Sequence, residues 1–97
     1  MNSYNVLLGA KARQTLESLP DYLLSQARDE LAKLASDPKT FGRRAPSPPY
    51  RRAEQVFFFK LRDANGVLHH LTAFFFYTED EKSIVVSTIT AIPPFAS

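Results

Sequence analysis

Residues 56–77 read VFFFKLRDANGVLHHLTAFFFY, and this stretch decides the fold. Two aromatic-rich runs flank Asp63-Ala64-Asn65-Gly66, and Asn-Gly between apolar runs is the strongest short-range sign of a β-hairpin. Six of the eight Phe residues lie here. Large rings dominate core energetics, so the core is expected around this hairpin. Lys60, Arg62, His69 and His70 sit in the same strands, which places the candidate chemistry beside the core.

The turn admits two registers. In a two-residue type I′ loop at Asn65-Gly66, Arg62 faces His69, and Lys60, Arg62, His69 and Tyr77 share one face. In a type I turn over residues 63–66 with a Gly bulge, which Asp first and Gly fourth also favour, His70 joins Lys60 and Arg62 instead. His69 and Tyr77 then move to the face of Phe57, Phe59 and Leu61, because a one-residue slip exchanges the faces of a strand. The bulged register gives the cleaner core, Phe57, Phe59, Leu61, Leu71, Ala73, Phe75 and Tyr77, with only His69 intruding near its rim. Only one histidine can share the face of the two cations.

Upstream, YNVLL at residues 4–8 alternates as a short strand with Tyr4, Val6 and Leu8 on one face. Ala12, Leu16 and Leu19 then follow helical spacing over residues 10–19, and Pro20 ends that helix. A second helix opens at Pro20-Asp21, carries Leu23, Leu24, Ala27, Leu31, Leu34 and Ala35 as its apolar stripe, and stops at Ser36-Asp37-Pro38. So short a leucine stripe reads as core before it reads as a dimer seam. Residues 41–55, FGRRAPSPPYRRAEQ, have no period and read as a loop or extended arm. Downstream, residues 78–83 form an acidic turn, and the β-branched run at 84–92 reads as a buried strand closed by Pro93-Pro94. Consecutive acids in a solvated turn, Glu79, Asp80 and Glu81, do not make a catalytic carboxylate pair.

The expected architecture is α+β, in the order β-α-α-β-β-β: a helical hairpin packed on one face of a small, mainly antiparallel twisted sheet. The first strand is expected at an edge or beside the last strand. Residues 1–97 suffice for a single domain with one core. With no run of 18 apolar residues and no basic-then-apolar leader, neither export nor membrane insertion is indicated, and a cytoplasmic protein is expected. The absence of cysteine excludes disulfides, thiolate nucleophiles and sulfur-ligated zinc. Adjacent histidines on a strand point to opposite faces, so no metal site and no cofactor are expected.

The net charge of +2 is uneven: residues 38–62 hold seven basic residues and one acid, the remainder five basic and nine acidic. A basic middle on an otherwise acidic chain suits an anionic partner met on one side, nucleic acid or an acidic protein segment. Arg43, Arg44, Arg51 and Arg52 bracket the Pro-rich turn, and their planar guanidinium forks suit phosphate oxygens. The same charges would also serve simply to solvate a loop.

YNVLL leading into the helix with its Leu19-Pro20 break, then LAKLASDP, Tyr50-Arg51, FKLRD with a turn at Gly66, and FFFYTEDEKSIVVSTI together span nearly the whole chain. In this pattern the chain resembles the RelE/ParE superfamily of bacterial toxins from type II toxin–antitoxin systems. The resemblance implies a small toxin neutralised by a cognate antitoxin protein that lays an extended or helical segment over it. Relatives similar to RelE cleave mRNA in the ribosomal A site without a metal, using basic residues on the sheet. Relatives similar to ParE inhibit DNA gyrase, and a third possibility is a fold retained as a binding module. The catalytic residues implied are Lys60, Arg62 and His70 or His69, with Arg43, Arg44, Arg51 and Arg52 contacting nucleic acid. Where many RelE-like nucleases place His, Lys, Arg or Tyr at the end of the last strand, this chain has TAIPPF at 90–95.

Such cleavage needs a base for the 2′-OH proton, an acid for the leaving oxygen, and cations for the charge growing on phosphate. A histidine acts as the base only when neutral. Lys60 and Arg62 have a plainer reading as edge charges that keep an apolar hairpin from aggregating. Phe74 and Phe76, on the Lys60 face in the bulged register, suit either base stacking or cover by an antitoxin segment.

Overall fold

The computed structural model describes residues 4–44 and 55–95, with side chains at 4–43 and 55–95. The elements run β1 (Asn5–Leu8), α1 (Ala10–Glu17), α2 (Asp21–Ser36), α3 (Pro38–Phe41), β2 (Arg43–Arg44), β3 (Gln55–Arg62), β4 (Leu68–Tyr77) and β5 (Ser83–Ile92). One five-stranded sheet has the order β1-β5-β4-β3-β2. β1 is both at an edge and beside the last strand, paired parallel to β5, while every other pairing is antiparallel. The α+β architecture expected from the sequence is therefore present. Two short elements were not expected: α3, and the two-residue β2 in what read as a periodless arm.

The helices pack against one face of the sheet. α1 contributes Ala12 and Leu16, and α2 contributes Leu23, Ala27, Leu31 and Leu34, to a cluster completed by Phe57, Phe59, Leu61, Leu71, Ala73, Phe75, Ile84, Val86 and Ile89. The α2 leucine stripe is thus spent on the core. Pro20 sits one residue before the first turn of α2, where its carbonyl accepts the N–H groups of Leu23 and Leu24.

Pro38 starts α3 because its fixed φ and missing N–H suit a first helical position. The Thr40 hydroxyl donates to the Asp37 carboxylate at 2.6 Å, and the Lys33 ammonium lies 5.3 Å from the Phe41 ring centroid. Gly42 then lets the chain pass the core: a Cβ there would lie 2.4 Å from the Phe75 ring and 2.7 Å from the Pro38 carbonyl oxygen. This close approach, which only a missing side chain permits, brings Arg43 and Arg44 onto the edge of β3.

Candidate functional site

Three turn features fix the β3–β4 register. The Gly66 N–H donates to the Asp63 carbonyl at 3.0 Å, the Asp63 N–H to the Val67 carbonyl at 3.0 Å, and Gly66 has φ +81°. Positive φ costs glycine nothing, so Gly66 carries the bulge after a type I turn. The Asp63 carboxylate accepts the N–H groups of Asn65 and Val67, at 2.9 and 3.0 Å. From α2, the Tyr22 hydroxyl accepts the Ala64 N–H at 2.8 Å and ties the turn to the helical layer.

The result is the bulged register: Lys60 lies opposite His70, Leu61 opposite His69, and Arg62 opposite Leu68. Directly opposed residues in an antiparallel pair share a face with Cβ atoms about 5 Å apart. On the face away from the helices, four cross-strand rows follow from the pairings. Arg43, Val56, Phe74 and Thr88 form the first, and Phe58, Thr72 and Thr90 the second. Lys60, His70 and Ile92 form the third, and Arg62 and Leu68 the fourth. Phe58, Lys60, His70 and Thr72 line an open depression of about 250 Å³. Arg62 donates from Nη1 to the Gly66 carbonyl at 2.8 Å, which steadies it beside this depression. A larger apolar recess, about 460 Å³, lies between β1, α1 and α2 and includes Arg13, Glu17 and Arg28. It holds neither histidine.

His69 has another role. It is buried, at 2% exposure, on the core side of the sheet, with its ring 4.0 Å from that of Phe95 and stacked on it. Its Nε2 meets the Asp63 carboxylate at 2.9 Å and its Nδ1 the Pro93 carbonyl at 2.7 Å. Both partners only accept, so the imidazolium, with an N–H on each nitrogen, is the one form that satisfies both. The hydrogen bond to Asp63, then that to Pro93, raise the imidazole above its ordinary value against the opposing effect of burial. In return, the His69 hydrogen bond is the main cause holding the Asp63 carboxyl low. Enclosed between these acceptors on the core side, His69 does not share the face of Lys60 and Arg62, and of the two candidate histidines the register places His70 with them. His69 joins the hairpin turn to the segment after β5.

Of the remaining candidates, Arg43 is exposed on the edge strand, and the Arg44 backbone pairs with Gln55. Arg51 and Arg52 lie outside the described residues. Among the described residues no three His, Asp or Glu side chains come together as metal ligands, and no helix is long and apolar enough to cross a membrane. Phe74 and Phe76 are half-buried, whereas Phe58 is 62% exposed. Phe58 is the residue that sequence reasoning passed over. Its signal was available, since the middle of three consecutive Phe must face away from its buried neighbours.

No family model and no curated protein matches the chain. Solved structures do. The chain is similar to a chain of the toxin–antitoxin complex RelBE2 from Mycobacterium tuberculosis, with TM-score 0.63 and 18% identity over 90% of this chain and 95% of that one. It is likewise similar to a double-arginine-to-alanine mutant of the E. coli toxin RelE in the free state, with TM-score 0.57 and 14% identity over 90% of this chain and 81% of that one. The fold is that of the RelE toxins, an α+β sheet with a helical layer on one face. The resemblance read from the sequence is thus carried by the fold.

Proposed function

We propose that this chain is the toxin of a toxin–antitoxin pair and acts as a metal-free, ribosome-dependent mRNA endonuclease. The observation that carries this reading is the direct opposition of Lys60 and His70 on the open face, with Arg62 one row further on. In that arrangement His70 withdraws the ribose 2′-OH proton through a ring nitrogen, and the 2′-oxygen attacks the adjacent phosphorus. The P–O5′ bond breaks, Lys60 gives a proton to the departing 5′-oxygen, and a 2′,3′-cyclic phosphate remains. Arg62 and Lys60 offset the charge that grows on the phosphate oxygens. Arg43 and Arg44 hold the surrounding RNA backbone, and Arg51 and Arg52, outside the described residues, take the same role on the strength of the sequence alone. The antitoxin partner is proposed from the RelBE2 likeness.

Expression of the wild type in a bacterium should produce rapid mRNA cleavage. Lys60→Ala/Arg62→Ala and His70→Ala should each lower it at least a hundredfold, the scale of a lost acid–base or charge-stabilising group. Undiminished cleavage in either variant would remove these residues from the chemistry. One observation favours a second reading, inhibition of DNA gyrase by contact alone: Ile92, with no ionisable group, stands beside His70 at the end of β5. A DNA-damage response without mRNA cleavage would select it.

A further inference from the structure

The row next to Lys60 and His70 has a composition that acid–base chemistry does not need. Phe58 is 62% exposed, and none of the described rings stacks on it. Across the strands it faces Thr72, which faces Thr90. The two threonine side chains have no hydrogen-bond partner among the described residues. On either side of this row lies a cation, Arg43 in one direction and Lys60 in the other. Neither is ion-paired among the described residues. Lys60 is two residues along β3 from Phe58, about 7 Å away, and Arg43 lies one row off in the other direction and one strand over, opposite Val56.

We infer that Phe58, Thr72 and Thr90 form a nucleobase subsite for single-stranded RNA, with Phe58 as the stacking platform and Arg43 and Lys60 receiving the phosphates on its two sides. This rests on the reading of the open face as an RNA site and specifies which part of it holds a base. A flat apolar ring suits the face of a base, and hydroxyls that both donate and accept suit its polar edge. Cations on both flanks suit a chain with a phosphate on each side of every base. The subsite positions the nucleotide beside Lys60 and His70 and takes no part in bond breaking.

The chain contains no Trp, so Phe58→Trp supplies a single fluorescent reporter. The probes are a short oligoribonucleotide with a 2′-O-methyl group at every position, which cannot be cleaved because its 2′-oxygen carries no proton, and the same strand with abasic residues. Stacking predicts that the base-bearing strand quenches Phe58→Trp and the abasic strand does not. Phe58→Leu should weaken the base-bearing strand roughly tenfold while leaving the abasic strand unchanged, and Phe58→Tyr should restore binding. Lys60→Ala should weaken both strands, which separates phosphate contact from base contact. Equal affinity of wild type and Phe58→Leu for the base-bearing strand, with Lys60→Ala still impaired, would overturn the subsite and leave the RNA reading standing. Failure of wild type to bind the base-bearing strand would likewise overturn the subsite, whereas loss of the RNA reading itself would show as absence of mRNA cleavage on expression in a bacterium.

Discussion

His69 and His70 are neighbours in sequence and opposites in chemistry. The side-chain period of a strand sends one into the core rim and the other to the open face, so each meets a different set of partners. His69 meets two acceptors, which raise its pKa; His70 faces Lys60 across the strands. A pH dependence follows from the pair at the turn. The His69 pKa is raised above its ordinary 6.5, so its contribution to stability is whole below pH 6.5 and fades as pH rises through the elevated folded value. The Asp63 carboxyl is held below its ordinary 3.8, so its contribution is whole above pH 3.8 and is lost as pH falls through the depressed value. Both are present between those limits. Thermal melting of wild type and His69→Gln should therefore differ most at about pH 5 and converge partly towards about pH 9. A gap that does not change with pH would show that His69 is not an imidazolium.

At the scale of elements, two glycines hold the site in place by different means, and substitution should separate them. Gly66 has open space around its missing Cβ, so Gly66→Ala brings only the penalty of positive φ, about 1–2 kcal/mol. Gly42 has an ordinary φ of −83°, and its penalty is steric: a Cβ would drive into Phe75 and the Pro38 carbonyl. Because Phe75 is fully buried and the carbonyl is backbone, neither yields readily. Gly42→Ala should cost about 1–3 kcal/mol or more. Phe75→Leu, which removes the clashing ring, should recover part of the loss in the double variant. Denaturant titration of the four proteins measures this, and purely additive losses would place the strain elsewhere. Gly66 was legible in the sequence, through the Asp-Ala-Asn-Gly turn. Gly42 was not, because its constraint comes from a ring 33 positions away.

Across the whole molecule, charge and topology act together. Of the bases concentrated in residues 38–62, Arg43, Arg44, Lys60 and Arg62 belong to β2 and β3, one edge of a five-stranded order. If this edge carries RNA phosphates, affinity for mRNA-programmed ribosomes should fall steeply with salt. Arg43→Gln/Arg44→Gln should reduce the slope of log affinity against log salt by roughly one per arginine in contact. A slope equal to that of the wild type would take both arginines off the nucleic-acid path. β2 itself escaped sequence reasoning because two residues are too few to show a period. They pair only because Gly42 and the core place them beside Gln55 and Val56.

The sequence by itself determined the hairpin, the alternation that separates core from open face, the helical stripes and the position of the cations. All of these rest on local spacing and turn chemistry, which the chain carries without knowledge of its partners. Asp63 and Gly66 favoured the register that unites Lys60 with His70, and a competing turn remained open until the packed structure closed it. Only the tertiary structure decided that His69 is buried between two hydrogen-bond acceptors, since Pro93 and Phe95 reach it from 24 and 26 positions away. It also decided that Phe58 stands uncovered beside the candidate chemistry. Periodicity assigns a residue to a face, whereas the neighbours that fold over that face determine its charge, its exposure and the partner it can meet.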